Sequence, residues 1–551
     1  MWGSCGLSAL LWPLGLLVNV QDHDEAVYHE TAREMIESGD WTDPHCNYQP
    51  WYGKPAMSMW LIAAAFRFLG VEAWVGRIPA LLGAVLIVWM TYLLGRRLFG
   101  PAEGAVAAAF CAAAPALSLM GHNVKIDMNL IVFTTGATLL AHMALDKPWL
   151  YLLAGASGGL AVLTKGPIGV ALPGLILVAA WTWDRRWGDV LRAWRWVALG
   201  VVSCLVVWAP WNVVMYQRYR QVFVDVLYMT DSLKRFSGPS MSGEMPLLFF
   251  PATLLWAAGP AIPAVLVGLV LRARALRGRW TRPPFATVDL AWLILPTLLM
   301  ETSNSKLPHY VFPVLPGLCV VAAHGILALV RGGTAHRLGW LTRAGTVFMS
   351  AMGLAFAGAM ITVCFPPAEG HLLLLVFLAC AAALVPLTWL AAKGHAAALV
   401  ASPCLAGIMA VALHNGAARP ELIRFQPAPM VARVLDQDGA PRGTRTHVFA
   451  LKDADRVSLN FYGRMRVDDA RMETLKDQVG AQTIYLMTPA SYLPEIRALG
   501  LRTRVRGFNL VFRTSMTPPR FAMVGNREEM ATPVVLLQVW DPSRTTPPGR
   551  T

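Results

Sequence analysis

Apolar residues run in long blocks along most of this chain. From the N-terminus to about residue 414, stretches of roughly 20 predominantly apolar residues recur, separated by short polar turns. Each block is long enough to cross a hydrocarbon layer as a helix, whose backbone hydrogen bonds are satisfied within the segment. With the charge alternation described below, the pattern predicts about thirteen spans. The first is expected at Leu7–Val18, a block that could mimic a secretory leader but lacks a small-residue cleavage site. The second should run from roughly Trp74 to Leu98, and the last should end near His414. Turns on one side are expected near Asn123–Asp127, Thr164–Gly166, Tyr216–Glu244, Glu301–His309 and Phe365–His371.

After His414 the pattern changes. Charges become frequent, and short strand-like runs appear at His447–Leu451, Thr483–Met487 and Val534–Val539, with an amphipathic helical stretch at Ala470–Val479. The expected fold is mostly α, a polytopic membrane helical bundle with surface amphipathic helices and a small C-terminal α/β domain. The expected division is 1–414 for the transmembrane part and 415–551 for the soluble domain.

Composition agrees with the pattern. Of 551 residues, 56% are hydrophobic and 15% charged, and mean hydropathy is +0.48, which no water-soluble fold could bury. The net charge of +14 raises the question of nucleic acid. Its distribution points elsewhere. Arg96 and Arg97, the Arg185–Arg195 group, the Arg272–Arg282 group, and Arg331, Arg337 and Arg343 fall in every second loop. That is the positive-inside arrangement of cytoplasmic loops, so the basicity sets orientation and no nucleic-acid partner is implied. It places the loop after the first span and the C-terminal domain outside an inner membrane. The eight cysteines show no paired spacing, so neither a disulfide framework nor a CxxC metal site is expected.

Chemistry concentrates in the first external loop, from Gln21 to about Trp74. An acidic cluster, Asp22-His23-Asp24-Glu25, opens a helical stretch from Glu25 to Ser38 that stops at Gly39. A second stretch starts at Lys54-Pro55 and runs to Gly70. Both patterns suit helices lying along a membrane surface. A carboxylate there can take the proton of an attacking hydroxyl. Lysine or arginine on a departing lipid phosphate would hold charge that grows in the transition state. The external cations Lys54, Arg77, Lys125, Lys165, Arg235 and Lys306 run against orientation bias and so need another reason. Each feature also has a plainer reading. An Asp-Glu pair can complement a helix dipole, a lone lysine can snorkel, and Tyr28, Trp51, Trp60 and Trp74 can be interfacial aromatics. A divalent metal is compatible with His23, His29, His45 and the acidic cluster. Their spacing matches no ligand signature, so metal and cofactor stay unassigned.

Taken in order, the pieces carry more. Asp24-Glu25-Ala26-Val27-Tyr28-His29-Glu30, Arg33-Glu34-Met35, Gly39-Asp40-Trp41, Lys54-Pro55, Arg77-Ile78-Pro79, Gly121-His122, Asp127-Met128, Leu163-Thr164-Lys165-Gly166-Pro167, Arg235-Phe236 and Ser305-Lys306-Leu307-Pro308 follow one another over residues 20 to 320. This series resembles the bacterial protein O-mannosyltransferase-like glycosyltransferases of the C-type membrane superfamily, the branch that includes the lipid A aminoarabinose transferases. The resemblance implies a glycosyltransferase that takes a sugar from a polyprenyl (undecaprenyl) phosphate donor. The acceptor would be a lipid or envelope glycan on the periplasmic side, with aminoarabinose transfer to lipid A as one reading. Asp24, Glu25 and Asp127 would be the catalytic carboxylates. Lys54, Arg77, Lys165, Arg235 and Lys306 would contact the donor phosphate, and Tyr28, Tyr52 and Tyr310 the substrates. Gly53 stands where relatives carry glutamate, which removes one ligand from a metal site found in some of them. The competing expectation is a transporter or flippase of a lipid-linked or anionic solute. Charge gathered at outer span ends and in one loop, rather than in repeated halves, favours the enzyme.

Overall fold

The computed structural model describes residues 16, 23–234, 237–238, 245–277, 287–332, 339–364, 371–441, 444–451, 453–480, 482–512, 521 and 523–544. The chain is a multi-pass helical bundle carrying one small mixed sheet near its C-terminus. Among the described residues, eight helices are long and apolar enough to cross a membrane, or nine if the bent pair Pro101–Ala112 and Pro115–Gly121 is one span. Shorter apolar helices at Leu150–Lys165 and Ile168–Trp183 occupy two further positions where spans were expected. The expected first span, Leu7–Val18, lies outside the described residues except for Leu16.

The expected second span forms as Ala73–Leu98. Two other boundaries differ. The loop expected at Tyr216–Glu244 is helical well past its start: Trp194–Val224 continues as a π-helix through Asp225–Lys234. Near His414 the helix does not stop either, because Ala396–Leu413 passes through a π-turn, His414–Ala418, into Arg419–Ile423. The first of these helices is kinked at Arg220, whose backbone is non-helical at φ 52° and ψ −134°, and the second carries Asn415-Gly416 at the expected stop, where a π-turn takes up the change in place of a break.

Small residues set how closely the spans approach. A Cβ placed on Gly155 would overlap the carbonyl oxygen of Gly200. One turn along, a Cβ on Gly159 would lie 2.7 Å from the carbonyl of Cys204. The helices Leu150–Lys165 and Trp194–Val224 therefore touch backbone to backbone, the small-xxx-small contact of membrane interiors. Their outward faces, including Val201, Val202, Leu205 and Val206, are exposed and apolar, as lipid-facing surfaces must be.

Over one end of the bundle lie two surface helices, α1 (His23–Ser38) and α2 (Met57–Leu69). Between them a small hairpin, β1 (His45–Cys46) with β2 (Gln49–Pro50), turns at Asn47 and Tyr48, both with positive φ. That is the backbone of a tight hairpin turn. Its strain is offset by contacts: the Tyr48 N–H donates to both carboxylate oxygens of Glu34 at 3.0 Å.

The C-terminal sheet has the order β4-β3-β5-β7-β6, with β3 (Arg445–Val448) parallel to β4 (Arg466–Asp469) and β5 (Ile484–Pro489). β7 (Thr532–Trp540) runs antiparallel to both β5 and β6 (Arg502–Val511). Alternate residues of β7 pack on opposite sides, Val534 and Leu536 on one and Val535, Leu537 and Val539 on the other. Burial on both faces explains why this strand reads as a continuous apolar run. The stretch Ala470–Val479 is shorter in the structure than expected, a 3-10 turn at Met472–Thr474 followed by Leu475–Val479.

The sheet is docked on the first loop. Asn47 Nδ2 donates to the carbonyl of Val467 at 2.8 Å, and Asn47 Oδ1 accepts the Val467 N–H at 3.0 Å. The side-chain amide thus stands in for a neighbouring strand at edge strand β4. Asn460 Nδ2 also donates to Asn47 Oδ1 at 2.6 Å, and Phe461 packs edge-on against His29 of α1.

Candidate functional site

The first turn of α1 presents two neighbouring carboxylates to opposite environments. Glu25 points inward and is fully enclosed. It meets Arg77, equally enclosed at the start of the 73–98 helix, through Nε to Oε1 at 2.7 Å and Nη2 to Oε2 at 3.2 Å. Burial by itself would raise the Glu25 pKa, but the Arg77 charge and hydrogen bonds outweigh it and hold the carboxyl down at about 2. Arg77 Nη1 also donates to the carbonyl of Leu16 at 2.6 Å. Glu25 and Arg77 were expected to act as a catalytic carboxylate and a phosphate ligand. In the structure they pair with each other away from any open surface, because a buried charge is tolerable only when matched.

His29, one turn on, fixes the same junction. Its ring nitrogens lie 2.7 Å from the carbonyl of Glu25 and 3.0 Å from that of Ala73. The ring occupies the space left by Gly76, where any Cβ would overlap it.

Asp24 faces outward, with its side chain half exposed, and Lys125 Nζ lies 3.6 Å from its carboxylate. Lys125 immediately precedes the helix Ile126–Met143, whose second residue is Asp127. Lys165, at the end of the 150–165 helix, donates to Asp127 Oδ1 at 2.5 Å, and His309 Nε2 approaches Oδ2 at 3.6 Å. Lys165 also sits over the Tyr310 ring, 4.2 Å from its centroid. Lys125 is close enough to act on the Asp127 charge as well. One continuous polar chain therefore runs from Asp24 through Lys125 and Asp127 to Lys165, His309 and Tyr310.

Lys54 is paired with Asp231 of the π-helical segment. The next residue, Ser232, comes up against Gly166: a Cβ there would be 3.3 Å from the Ser232 hydroxyl. This places the Lys54–Asp231 pair beside the end of the Lys165 helix. Lys306 donates to Glu301 Oε1 at 2.6 Å. Glu301 in turn accepts the backbone N–H groups of Phe249 and Phe250, so it also caps the helix Phe249–Ala257. Four lysines, Lys54, Lys125, Lys165 and Lys306, thus each stand opposite a carboxylate at this end of the bundle.

The aromatic candidates are packed more than presented. Tyr28 is buried edge-on to Trp51, and Tyr52 stacks at a tilt on Tyr219 with Phe223 beside it. Tyr310 is partly exposed above Lys165. Arg235, with Asp22 and Glu244, lies outside the described residues. Among the described residues, no group of three or more histidine, cysteine, aspartate or glutamate side chains is arranged to hold a metal ion.

Sequence reasoning missed the partners Asp231 and Glu301. Asp231 meets Lys54 across 177 positions, and no local pattern announces such a pair. His309 was signalled weakly, standing three residues after Lys306 in the same turn. Also unforeseen is the anchoring of the first loop to the 194–224 helix. Arg218 Nη1 bridges Asp40 at 3.1 Å and Asp43 at 2.9 Å, and the Tyr219 hydroxyl donates to Asp43 at 2.7 Å.

Comparison with known proteins adds the following. The profile of the dolichyl-phosphate-mannose-protein mannosyltransferase family matches residues 53–213. The chain is 28% identical over 368 residues to the undecaprenyl phosphate-α-4-amino-4-deoxy-L-arabinose arabinosyl transferase of Pseudomonas aeruginosa (strain UCBPP-PA14). That match covers 63% of this chain and 65% of the relative. The arabinosyl transferase of Shewanella sediminis is 26% identical over 327 residues, covering 58% of each. In structure the chain is similar to ArnT from Cupriavidus metallidurans bound to undecaprenyl phosphate, with a TM-score of 0.74 at 21% identity over 97% of both chains. The apo form of that protein matches with a TM-score of 0.71. At this identity the structural likeness speaks for the fold.

Proposed function

We propose, from its likeness to the mannosyltransferase family and to the arabinosyl transferases, that this chain is an integral membrane glycosyltransferase. It would move a sugar from a polyprenyl (undecaprenyl) phosphate donor to a lipid or envelope glycan acceptor, with transfer of aminoarabinose to lipid A as the specific form. The observation that carries this reading is the polar chain from Asp24 to Tyr310, with the Lys54–Asp231 pair beside it. The reaction needs a carboxylate within reach of an acceptor and cations within reach of a phosphate, and the half-exposed Asp24 and the lysines at the same end of the bundle support that reading.

In the proposed reaction the acceptor oxygen attacks the anomeric carbon while the sugar–phosphate C–O bond breaks. Asp24 takes the proton when the acceptor is a hydroxyl, or orients an acceptor that is already anionic. The departing polyprenyl phosphate gains one negative charge, which falls to Lys54 and Lys165, with Lys306 and Arg235 as further donor contacts. Because each described lysine already has a carboxylate partner, the phosphate must draw it away from that partner. Its hold then strengthens as charge develops, which is selective for the transition state. Asp127 fixes Lys165, Tyr310 lines the approach, and Tyr28 and Tyr52 shape it from behind. Glu25 and Arg77 act through position, setting how α1 carries Asp24.

The same reading puts residues 1–414 in the membrane-embedded catalytic part and 415–551 in a periplasmic cap. The protein would sit in the inner membrane with its site on the periplasmic face. The test is to incubate purified protein with polyprenyl-phosphate sugars and envelope acceptors. Mass spectrometry would then follow free polyprenyl phosphate and glycosylated acceptor. Asp24→Asn should lower acceptor-dependent release by about 10²–10⁴-fold. Equal release by the wild type and this variant would remove Asp24 from the chemistry. No release from folded protein over a broad panel would favour a transporter instead.

A further inference from the structure

A polar cavity lies at the end of the bundle opposite the Asp24–Tyr310 chain. It has a volume of about 600 Å³ and is lined by Arg97, His142, Asp146, Asp184, Arg186 and Arg272, with Leu98, Phe99 and Leu145 beside them. Arg77 and Arg97 lie near opposite ends of one helix, and Asp127 and His142 near opposite ends of another. At 1.5 Å per residue these separations are roughly 30 Å and 22 Å, close to a hydrocarbon thickness. The cavity is therefore at headgroup depth in the opposite leaflet and shares nothing with the proposed catalytic groups.

Its charges are balanced rather than basic. Arg272 is neutralised by Asp289, with bonds of 3.0 Å from Nε and 2.7 Å from Nη2. That leaves Arg97 and Arg186 against Asp146 and Asp184, with the imidazoles of His142 and His324 also in the lining, the latter stacked on Phe99 at 4.2 Å. Arg97 reaches the exposed Asp146 at 2.7 Å, and Arg186 turns to Asp189. Among the described residues that line the cavity, three enclosed atoms meet no hydrogen-bond partner: Arg97 Nε, His142 Nδ1 and Asp184 Oδ1. His142 is 7% exposed and so is Asp184, whose other oxygen accepts the Thr287 N–H at 2.9 Å. Buried polar atoms left unpaired are costly, and here they come in both senses, a donor on an arginine and an acceptor on a carboxylate.

We propose that this cavity is a binding site for the headgroup of a zwitterionic phospholipid carrying a primary ammonium, of the phosphatidylethanolamine class. The phosphodiester would accept from Arg97 Nε and His142, the ammonium would donate to Asp184, and Leu98, Phe99 and Leu145 would meet the glycerol and upper acyl chain. Charge balance separates this ligand from an anionic lipid, which would leave Asp184 unmatched. A quaternary choline group has no N–H to donate, so it leaves the Asp184 oxygen without a hydrogen bond and should bind less well.

The test uses the full chain in phosphatidylcholine nanodiscs doped with phosphatidylethanolamine or phosphatidylglycerol, with retained lipid read by native mass spectrometry. Wild type should retain phosphatidylethanolamine in preference to the other two. Asp184→Asn keeps the bond to Thr287 but loses the charge, and should weaken that retention about tenfold. Arg97→Gln should weaken it similarly. Leu145→Trp fills the cavity without touching a charge and should abolish retention in a protein whose unfolding temperature shows that it is folded. Unchanged retention in these variants would overturn the site. Equal retention of phosphatidylglycerol, or displacement of the lipid by inorganic phosphate as readily as by glycerophosphoethanolamine, would overturn the ammonium half and leave an anion site.

Discussion

Removing Arg77 while Glu25 stays in place should be one of the most damaging single changes at this end of the bundle. Both side chains are fully enclosed, and the pair is held by two hydrogen bonds of 2.7 and 3.2 Å. Burial pushes the Glu25 pKa up, but Arg77, with smaller help from His29 and Arg419, lowers it from its ordinary 4.5 to about 2. A shift of that size corresponds to roughly 3 kcal/mol. Orphaning one member of a buried pair generally costs about 3–5 kcal/mol, which is the same scale. Arg77→Met should therefore lose about 3 kcal/mol of stability, and Glu25→Leu combined with Arg77→Met should recover most of it because no lone charge remains. Equilibrium unfolding in mild detergent, run as a double-mutant cycle, measures both values. The pH dependence has a definite sign. A depressed carboxylate stabilises the folded state fully above 4.5, and that contribution fades as pH falls toward about 2. Arg77→Met should flatten this part of the profile. Glu25→Gln, which leaves the enclosed Arg77 charge unmatched, should lower stability as well. If Arg77→Met unfolded within about 1 kcal/mol of wild type, as an exposed pair would, the enclosure argument would be refuted.

Two further outcomes follow from burial and packing. Burial of Glu34, with the Glu30 carboxylate beside it, pushes its pKa up to about 8, against the opposing pull of the Tyr48 N–H and Arg33. The unfolded chain releases this proton near 4.5 and the folded chain near 8, so stability should decline as pH rises through that window. Glu34→Gln should remove the decline, as followed by tryptophan fluorescence during thermal unfolding. Gly155→Ala places a Cβ on the carbonyl of Gly200 and should cost about 1–3 kcal/mol with a lower folded yield on size exclusion. Gly174→Ala, which meets open space, should behave as wild type.

Much of this protein was determined by its sequence alone, because the bilayer acts on local composition. A run such as Ala73–Leu98 has one low-energy state in hydrocarbon, so the span could be placed to within a residue. The surface helices were equally legible. Acidic residues open α1, and the expected stops at Gly39 and Gly70 fall directly after Ser38 and Leu69. The β5 and β7 runs announced themselves by apolar strand composition. Tertiary structure decided what local composition could not encode. Asp24 and Glu25 are neighbours in the same acidic cluster, yet one is half exposed near Lys125 and the other sealed against Arg77. Which of them is open depends on the angle at which α1 meets the 73–98 helix, an angle set by His29 sitting over Gly76. The partners of Lys54 and Lys306, and the docking of β4 on Asn47, depend equally on side chains brought together by folding. Helix and span formation follow from the chain's own few-residue periodicity and its solvent. Ion pairing follows from distances between segments, and those exist only after the segments have packed.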